Sequence, residues 1–322
     1  MVSHEIRIGT RGSQLALFQA NWVKEKLLQS EPHLKITLTV IKTTGDKIQD
    51  APLAKVGGKG LFVKEIEEAL LKERVDLAVH SIKDVPTELP RELHLAAVTK
   101  REDPRDVFIS RDGTQLQNLR QGAKIGTGSL RRQAQLLHFR PDFEMIPLRG
   151  NLDTRLRKLE VMNLDGIVLA LAGVKRMGFE KRITEILSEE ISLPAIGQGA
   201  LGIETREGDS VVESHVRFLN DPDSAVCVLA ERGFLKKLEG GCQVPIAAYG
   251  RKTGPTLQLE GMVATVDGKT LIRHHLTGSV EKAESLGIEL AEILLDMGAK
   301  KILDEIYGRL APSVSLNDRN DE

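Results

Sequence analysis

Apolar and polar positions alternate with two different periodicities along the first hundred residues. Short apolar or alternating stretches, which are typical of β-strands, occupy Ile6 to Thr10, Lys35 to Lys42 and Val75 to His80. Apolar residues recur at helical spacing in Ser13 to Leu28 and Leu61 to Lys72. Because strands and helices alternate, we predict an α/β sheet with helices on its faces.

A second set of alternating elements begins near Asp106. The predicted strands are Val107 to Ser110, Ala123 to Gly126 and Gly166 to Leu171, and the predicted helices begin at Ser129 and span Asp153 to Leu159. This pattern again indicates an α/β domain.

The last third of the chain has a different order of elements. A helix is predicted from Pro222 to about Leu238, followed by strands over Leu257 to Val266 and Thr270 to Thr277 and a helix over Val280 to Met297. This order indicates a smaller α+β domain. The residues after Pro312 are polar and acidic, and we predict that they form a disordered tail.

The chain length agrees with several domains, because 322 residues exceed what one hydrophobic core usually organises. The segments 100–103 and 193–200, the second of which contains one Pro and two Gly, are the predicted crossings. We therefore predict a first α/β domain from 1–99 and 200–219 and a second from 100–199. An α+β domain over 220–311 and a flexible tail over 312–322 complete the predicted organisation.

The net charge of −1 conceals a basic middle segment. The segment from Arg120 to Arg182 contains thirteen Lys or Arg residues and only six Asp or Glu residues. This excess of positive charge favours an anionic ligand. Aromatic residues make up only 3% of the chain, and no base-stacking or groove-reading motif is present. A small polyanion is therefore a better candidate than nucleic acid.

Other broad classes fit poorly. No apolar run is long enough to cross a bilayer, and the N-terminus lacks the pattern of a secretory signal, so we expect a cytoplasmic protein that does not enter a membrane. The two cysteines, Cys227 and Cys242, lack the spacing of metal ligands, and we predict neither a metal site nor a disulfide.

Two similar turns are candidate anion sites. Ile8-Gly-Thr-Arg-Gly-Ser-Gln-Leu15 and Ile125-Gly-Thr-Gly-Ser-Leu130 each join a strand to a helix through a Ser at the predicted N-cap. Free N–H groups and the positive end of the helix dipole favour an anion there. An ordinary capped turn is the alternative for either one alone, but the nearby Arg11, Arg131 and Arg132 favour anion binding.

The glycine-rich segments do not match nucleotide signatures. Val56-Gly-Gly-Lys-Gly60 lacks the upstream Gly and the Ser or Thr of a phosphate-binding loop. Gly126-Thr-Gly-Ser-Leu-Arg131 has Arg where a dinucleotide fingerprint has a small residue. We therefore exclude both nucleotide motifs.

Four further residues have two interpretations each. Cys242 is either a buried structural thiol or an accessible thiol on the loop of Lys237-Leu-Glu-Gly-Gly-Cys-Gln-Val-Pro245, whereas Cys227 fits core packing in a helix. Lys83 and Asp84 follow a predicted strand, where α/β sheets bind ligands, but they could also form a surface ion pair. Phe62 could pack in a core or cover a flat ligand.

Eight motifs, in order over nearly the whole chain, resemble those of the porphobilinogen deaminase family. They are Thr10-Arg11 with Ser13, Lys55-Val-Gly-Gly-Lys-Gly-Leu-Phe62, His80-Ser-Ile-Lys-Asp-Val-Pro86, Arg101-Glu-Asp-Pro-Arg-Asp106, Ser129-Leu-Arg-Arg132, Arg149-Gly-Asn151, Pro194-Ala-Ile-Gly-Gln-Gly199 and Glu239-Gly-Gly-Cys-Gln-Val-Pro245. Gly128 and Gly12 depart from the residues often found in that family, so no side-chain role is assigned to either.

The resemblance implies a fold, a cofactor and a set of site residues. Two domains similar to periplasmic binding proteins would precede a third domain, in which Cys242 holds a dipyrromethane cofactor through a thioether. The implied cofactor-binding residues are Ser81, Lys83, Thr127, Ser129, Arg131 and Arg132. The implied substrate-binding residues are Arg11, Ser13, Lys55, Phe62, Arg149, Arg155 and Arg176.

The resemblance also implies a transferase that works as a monomer in tetrapyrrole biosynthesis. Four porphobilinogen molecules would be joined head to tail with release of ammonia, and hydrolysis would free hydroxymethylbilane. Asp84 would stabilise the azafulvene cation and accept the proton lost when the new ring becomes aromatic. A noncatalytic anion-binding protein and a transferase with a cysteine nucleophile remain the alternatives.

Overall fold

Three β-sheets form the framework of residues 5–47, 60–239 and 244–310, which are the residues that the computed structural model describes. The strands are β1 (Glu5–Thr10), β2 (Lys35–Val40), β3 (Leu77–Ser81), β4 (Leu93–Val98), β5 (Asp106–Ser110), β6 (Lys124–Thr127), β7 (Glu144–Pro147), β8 (Gly166–Ala170), β9 (Glu185–Ile186), β10 (Leu201–Arg206), β11 (Ile246–Thr253), β12 (Thr256–Ala264) and β13 (Leu271–Ser279). The helices are α1 (Gln14–Ser30), α2 (Thr44–Lys47), α3 (Lys64–Leu71), α4 (Leu130–Phe139), α5 (Leu152–Val161), α6 (Leu171–Arg176), α7 (Ser210–Val216), α8 (Pro222–Lys237), α9 (Ala283–Leu294) and α10 (Lys300–Leu310).

The first two sheets have the same strand arrangement. The first has the order β2-β1-β3-β10-β4, and the second has the order β7-β6-β8-β5-β9. In each sheet, the three strands at one side are parallel. The next strand, β10 or β5, arrives from a segment that joins the two sheets and runs antiparallel to both of its neighbours.

The parallel strands place the predicted site residues at their carboxyl ends. β1 ends just before Arg11, β3 ends at Ser81 and β6 ends just before Gly128. Ligands usually bind at this end of the strands in α/β sheets. The topology therefore places the two capped turns and the Lys83-Asp84 segment at the ligand-binding ends of their sheets.

Capping side chains fix where the helices at these turns begin. The hydroxyl oxygen of Ser13 accepts a hydrogen bond from the Ala16 amide at 3.2 Å, and that of Ser129 accepts one from the Arg132 amide at 3.4 Å. Both serines have extended backbone geometry, as N-cap residues do. The two N-caps predicted from the sequence are confirmed.

The third sheet is antiparallel, with the order β11-β12-β13. Helices α8 and α9 pack together against it around Phe234, Leu259 and Leu290, which are all fully buried. The predicted fold class, α/β with a smaller α+β C-terminal part, is confirmed by these three sheets and their helices.

One predicted helix is wrong in extent. A single helix was expected from Val280 to Met297, but α9 ends at Leu294 and a π-helical turn, Leu295–Ala299, separates it from α10. Gly298 in this turn has a φ of 108°, which glycine adopts without the steric cost that other residues meet. The predicted tail over 312–322 lies outside the described residues.

Candidate active site

The turn after β1 joins Arg11 to a carboxylate and to an aromatic ring. The Arg11 guanidinium donates to Asp46 at 2.5 Å and lies 4.3 Å from the centre of the Phe62 ring. Burial opposes the charge on Asp46, but hydrogen bonds from Arg11 and Thr43 hold the pKa of this carboxyl below its usual value. A ligand carboxylate at Arg11 would therefore compete with Asp46.

The segment that carries Lys83 and Asp84 is a 3₁₀ turn, Ile82–Asp84, directly after β3. Ile82 is buried and anchors the turn, and its amide donates to the Ala200 carbonyl at 3.1 Å. Among the described residues, the Asp84 carboxylate has neither a hydrogen-bond partner nor an ion-pair partner. The carboxylate is thus available to a ligand.

A cavity brings several predicted residues together beside this turn. Its lining includes Arg11, Ser13, Phe62, Ser81 and Asp84, together with Gln19 and His80. The Ser81 hydroxyl accepts a hydrogen bond from the Gln19 side chain at 3.0 Å. The two turns of the first sheet therefore contribute to one concave site.

Lys83 faces the second sheet. Its ammonium donates to the Gln198 side chain at 3.4 Å. Burial lowers the pKa of Lys83 to about 8, and the charges of Arg132 and Arg131 lower it further while Asp84 and Asp106 oppose the shift. Lys83 consequently belongs to a set of interacting charges that includes residues of both sheets.

Arg131 and Arg132 are buried around one carboxylate. Their guanidinium groups lie 2.8 Å and 2.7 Å from the two oxygens of Asp106, which is fully buried. Burial disfavours the charged carboxylate, but the two arginines reverse this effect and hold the pKa of Asp106 well below its usual range. Together, the two arginines and Asp106 leave a net charge of +1 inside the protein.

The turn before these arginines is held by its own hydroxyl groups. The Thr127 hydroxyl oxygen accepts a hydrogen bond from the Ser129 amide at 3.2 Å. At Gly128, a Cβ atom would lie 2.5 Å from the Leu148 carbonyl oxygen, which is closer than real contacts allow. A side chain at position 128 would therefore require the backbone at Leu148 to shift.

The remaining predicted arginines lie near the same charges. Arg155 donates to the Gly150 carbonyl at 2.8 Å, and burial together with the charges of Arg132 and Arg149 lowers its pKa to about 10 while Asp84 opposes the shift. Burial also lowers the pKa of Arg149.

Arg176 contacts the second crossing between the sheets. Its guanidinium donates to the Gly199 carbonyl at 2.7 Å, and burial lowers its pKa while Glu102 opposes the shift. Its partner is thus the backbone of the segment that leads into β10.

Two residues that sequence reasoning did not single out organise this region. Gln198 donates to the Pro104 carbonyl at 2.6 Å and to Asp106 at 2.8 Å, and its side-chain oxygen accepts from Lys83. Asp106 and Gln198 both lie within motifs that carry the family resemblance. Their place in these motifs could have identified them, whereas no local sequence pattern distinguishes a carboxylate or an amide that becomes buried.

Both cysteines and one lysine complete the set of predictions. Cys227 packs in the core of the third sheet, as expected, and burial together with Glu231 raises the pKa of its thiol to about 11. Lys55 and Cys242, predicted to bind substrate and cofactor, lie outside the described residues. No described helix is long and apolar enough to cross a membrane.

Comparison with solved structures finds weak overall similarity to binding proteins. The methionine binding protein MetQ aligns with a TM-score of 0.43 and 13% identity over 67% of this chain and 88% of that chain. An arginine-specific periplasmic binding protein of Salmonella typhimurium aligns with a TM-score of 0.39 and 14% identity over 69% of this chain and 94% of that chain.

Sequence comparison identifies the family. Residues 6–214 match the family model "Porphobilinogen deaminase, dipyromethane cofactor binding domain", and residues 225–296 match "Porphobilinogen deaminase, C-terminal domain". Porphobilinogen deaminase of Pelobacter propionicus is 55% identical over 96% of this chain and 99% of its own length. The protein of that name from Trichlorobacter lovleyi is 57% identical, also over 96% of this chain and 99% of its own length. The chain therefore belongs to the porphobilinogen deaminase family.

Proposed function

We propose that this enzyme joins four porphobilinogen molecules head to tail on a dipyrromethane held by Cys242, and that hydrolysis then frees hydroxymethylbilane. The observation that carries the proposal is the set of desolvated cations around the unpaired carboxylate of Asp84. Lys83 and Arg155 both interact with this carboxylate through their charges. Such a site suits a substrate that bears carboxylates and becomes cationic during the reaction.

The residues around Arg132 fit a cofactor that carries acid side chains. The Nε atom of Arg132 is buried and has no hydrogen-bond partner among the described residues. A buried donor without a partner is costly, and a cofactor carboxylate would supply one. We assign Ser81, Lys83, Thr127, Ser129, Arg131 and Arg132 to cofactor binding.

When bound, the dipyrromethane supplies the pyrrole carbon to which the first substrate ring is added. The residues proposed to hold the substrate acetate and propionate groups are Arg11, Ser13, Lys55, Phe62, Arg149, Arg155 and Arg176. Guanidinium groups can bind these carboxylates in a bidentate manner, which fixes the orientation of each ring.

Asp84 performs the charge stabilisation and the proton transfer in this proposal. Loss of ammonia from the substrate leaves a cationic azafulvene, and the unpaired Asp84 carboxylate stabilises that positive charge. After the new carbon–carbon bond forms, the same carboxylate accepts the proton that leaves the ring carbon. Its availability among the described residues supports both roles.

The domain division, location and assembly state also belong to the proposal. The strands of the first sheet come from 1–99 and 200–219, those of the second from 100–199 and those of the third from 220–311, which supports these three domains. We place the enzyme in the cytoplasm, where thiols stay reduced, as a monomer. Light scattering of the purified enzyme tests the monomeric state.

The role of Asp84 is tested by single-turnover ammonia release from Asp84→Asn and Asp84→Glu. Only protein that carries the cofactor by intact mass is used. Loss of the charge or of the base typically lowers a rate by about 10² to 10⁴. Asp84→Glu keeps the charge but displaces it, so its rate should lie between those of Asp84→Asn and the wild type. Wild-type release by holo Asp84→Asn would remove Asp84 from the mechanism.

The tether is tested by intact mass spectrometry without substrate. Cys242→Ala should remove the dipyrromethane mass, whereas the matched variant Cys227→Ala should keep it. A noncatalytic binding protein would carry no added mass in any variant, and a cysteine nucleophile would gain mass only with substrate. Retention of the full adduct by Cys242→Ala would contradict the assignment of the tether.

A further inference from the structure

The side chain of Arg232 on helix α8 is hydrogen-bonded to the segment that follows Asp84. The Arg232 guanidinium donates to the Pro86 carbonyl at 2.6 Å, to the Val85 carbonyl at 3.2 Å and to the Thr87 carbonyl at 3.3 Å. These carbonyls belong to the three residues that directly follow Asp84. The planar fork of five donors in arginine suits several carbonyl oxygens at once.

Arg232 keeps this position without a carboxylate partner. Among the residues that the structure describes, no Asp or Glu lies within ion-pair distance of its guanidinium. Burial lowers the pKa of Arg232, and the more distant charge of Glu204 opposes the shift. Burying a cation costs free energy, and here the compensating contacts are all with the backbone after Asp84. The arrangement points to a role in holding that segment.

The opposite end of the turn is fixed in a different way. β3 pairs with β10 up to Ser81, and the His80 ring is hydrogen-bonded to the buried Glu204 at 2.9 Å. The upstream side is therefore held by the sheet itself. On the downstream side, the Arg232 hydrogen bonds connect the turn to the helix of another sheet.

The neighbouring residue of α8 holds the crossings between the first two sheets. Glu231 is fully buried and accepts hydrogen bonds from Arg101 at 2.5 Å, from the Gly197 amide at 2.6 Å and from the Gly250 amide at 2.8 Å. Helix α8 ends at Lys237, five positions before Cys242. One helix therefore contacts both crossings and the segment after Asp84, and Cys242 follows this helix in the sequence.

We propose that Arg232 is a positioning residue that ties the turn of Asp84 to helix α8, so that Asp84 keeps a fixed position relative to the cofactor attachment. This inference rests on the proposed function, because it takes Asp84 as the reacting carboxylate and Cys242 as the tether. Arg232 itself touches no reacting atom. It acts by limiting the displacement of the turn while the chain of rings grows.

The test compares Arg232→Ala and Arg232→Lys with the control Lys236→Ala, which removes an exposed cation from the same helix. Cofactor content is measured by intact mass, and kcat and KM are measured on holo protein. A displacement of about 1 Å can cost on the order of 10²-fold in rate, so Arg232→Ala should lower kcat by about 10- to 100-fold. KM should change by less than about threefold, because the residues proposed to bind substrate are intact.

Two further readouts separate positioning from a general loss of structure. Hydrogen exchange should become faster in peptides covering 82–88 of Arg232→Ala but not in the strands of the second sheet. Arg232→Lys should recover part of the rate, because an ammonium can still donate to one of the carbonyls. Lys236→Ala should match the wild type in all measurements.

Several outcomes would overturn the inference. These are a wild-type kcat in holo Arg232→Ala, faster exchange throughout the protein, or loss of the cofactor from Arg232→Ala alone. If Arg232→Ala does not fold, a wild-type rate in Arg232→Lys would refute the inference, and a reduced rate with an unchanged Tm would support it. Absence of the cofactor mass from the wild type would instead refute the proposed function.

Discussion

Replacing Asp106 by Asn should destabilise the protein strongly, although the two side chains have nearly the same size. One Asp106 oxygen accepts from Arg132 at 2.7 Å and Gln198 at 2.8 Å, and the other accepts from Ser192 at 2.7 Å and lies 2.8 Å from Arg131. All four partners can donate. Neither guanidinium group can accept a hydrogen bond, so an amide nitrogen would leave Arg132 or Arg131 facing another donor, depending on which oxygen it replaces.

The expected cost follows from the buried charges that remain. Asp106 is fully buried, and both arginines are only 5% exposed. Removing the carboxylate leaves two buried guanidinium groups without their anion, and breaking a buried ion pair in this way costs about 3 to 5 kcal/mol. The folded-state pKa of Asp106 is below its usual value of 3.8. Its stabilisation is therefore fully present above pH 4 to 5 and is lost as the pH falls.

The assay is urea unfolding at pH 7 of Asp106→Asn in the holo form and in a cofactor-free Cys242→Ala background. Cofactor carboxylates should partly replace the missing charge, so the loss in free energy of unfolding should be larger in the cofactor-free protein. Asp304→Asn is the control, because its exposed pair with Lys300 on α10 should contribute less than about 0.5 kcal/mol. A loss below about 1 kcal/mol in cofactor-free Asp106→Asn would refute the reasoning.

Three further predictions address the site and its support. Arg131→Leu should reduce cofactor content by intact mass, whereas Arg149→Leu should keep the cofactor and elongate poorly; equal cofactor content and turnover would contradict both roles. Burial and the charge of Glu204 raise the pKa of Glu67 to about 7, so stability should fall as the pH rises from about 4.5 to 7. After allowance for its partial exposure, Glu67→Gln should make the fall in the free energy of unfolding between pH 4.5 and 7 smaller by about 1 kcal/mol. A pH profile of Tm identical to that of the wild type would contradict this prediction. Gly197→Ala should cost about 1 to 3 kcal/mol in urea unfolding, because φ is 67° and a Cβ would lie 2.1 Å from a buried side chain; wild-type stability would contradict this.

The features that local sequence patterns predicted are those that depend only on residues close together in the sequence. Ser13 and Ser129 cap helices because a hydroxyl after a strand can satisfy free amides, whatever the rest of the fold does. Asp84 lies just beyond the end of β3 because a buried apolar strand ends there. The alternation of elements in 5–98 likewise predicted a sheet with helices on its faces.

The features that were missed depend on distant parts of the chain. Asp106 is buried between Arg131 and Arg132 only because the fold brings the start of β5 next to the first turn of α4, and no residue near Asp106 in the sequence predicts that contact. The contacts of Gln198 and Arg232 likewise join segments about 90 to 150 residues apart. Such contacts become visible only with the fold, although the family motifs had already included Asp106 and Gln198.

The charges of the proposed site suggest why growth of the product is limited. Lys83, Arg149, Arg155 and Arg176 have no carboxylate within ion-pair distance among the described residues, and burial lowers the pKa of each. Keeping such cations unpaired costs free energy that ligand carboxylates would offset, so the site is electrostatically prepared for the first rings. Every further ring brings two more carboxylates, and these must compete with Asp46 for Arg11 or share cations that are already bound. The binding free energy gained per ring should therefore decline as the chain grows, which favours hydrolysis and release over continued elongation.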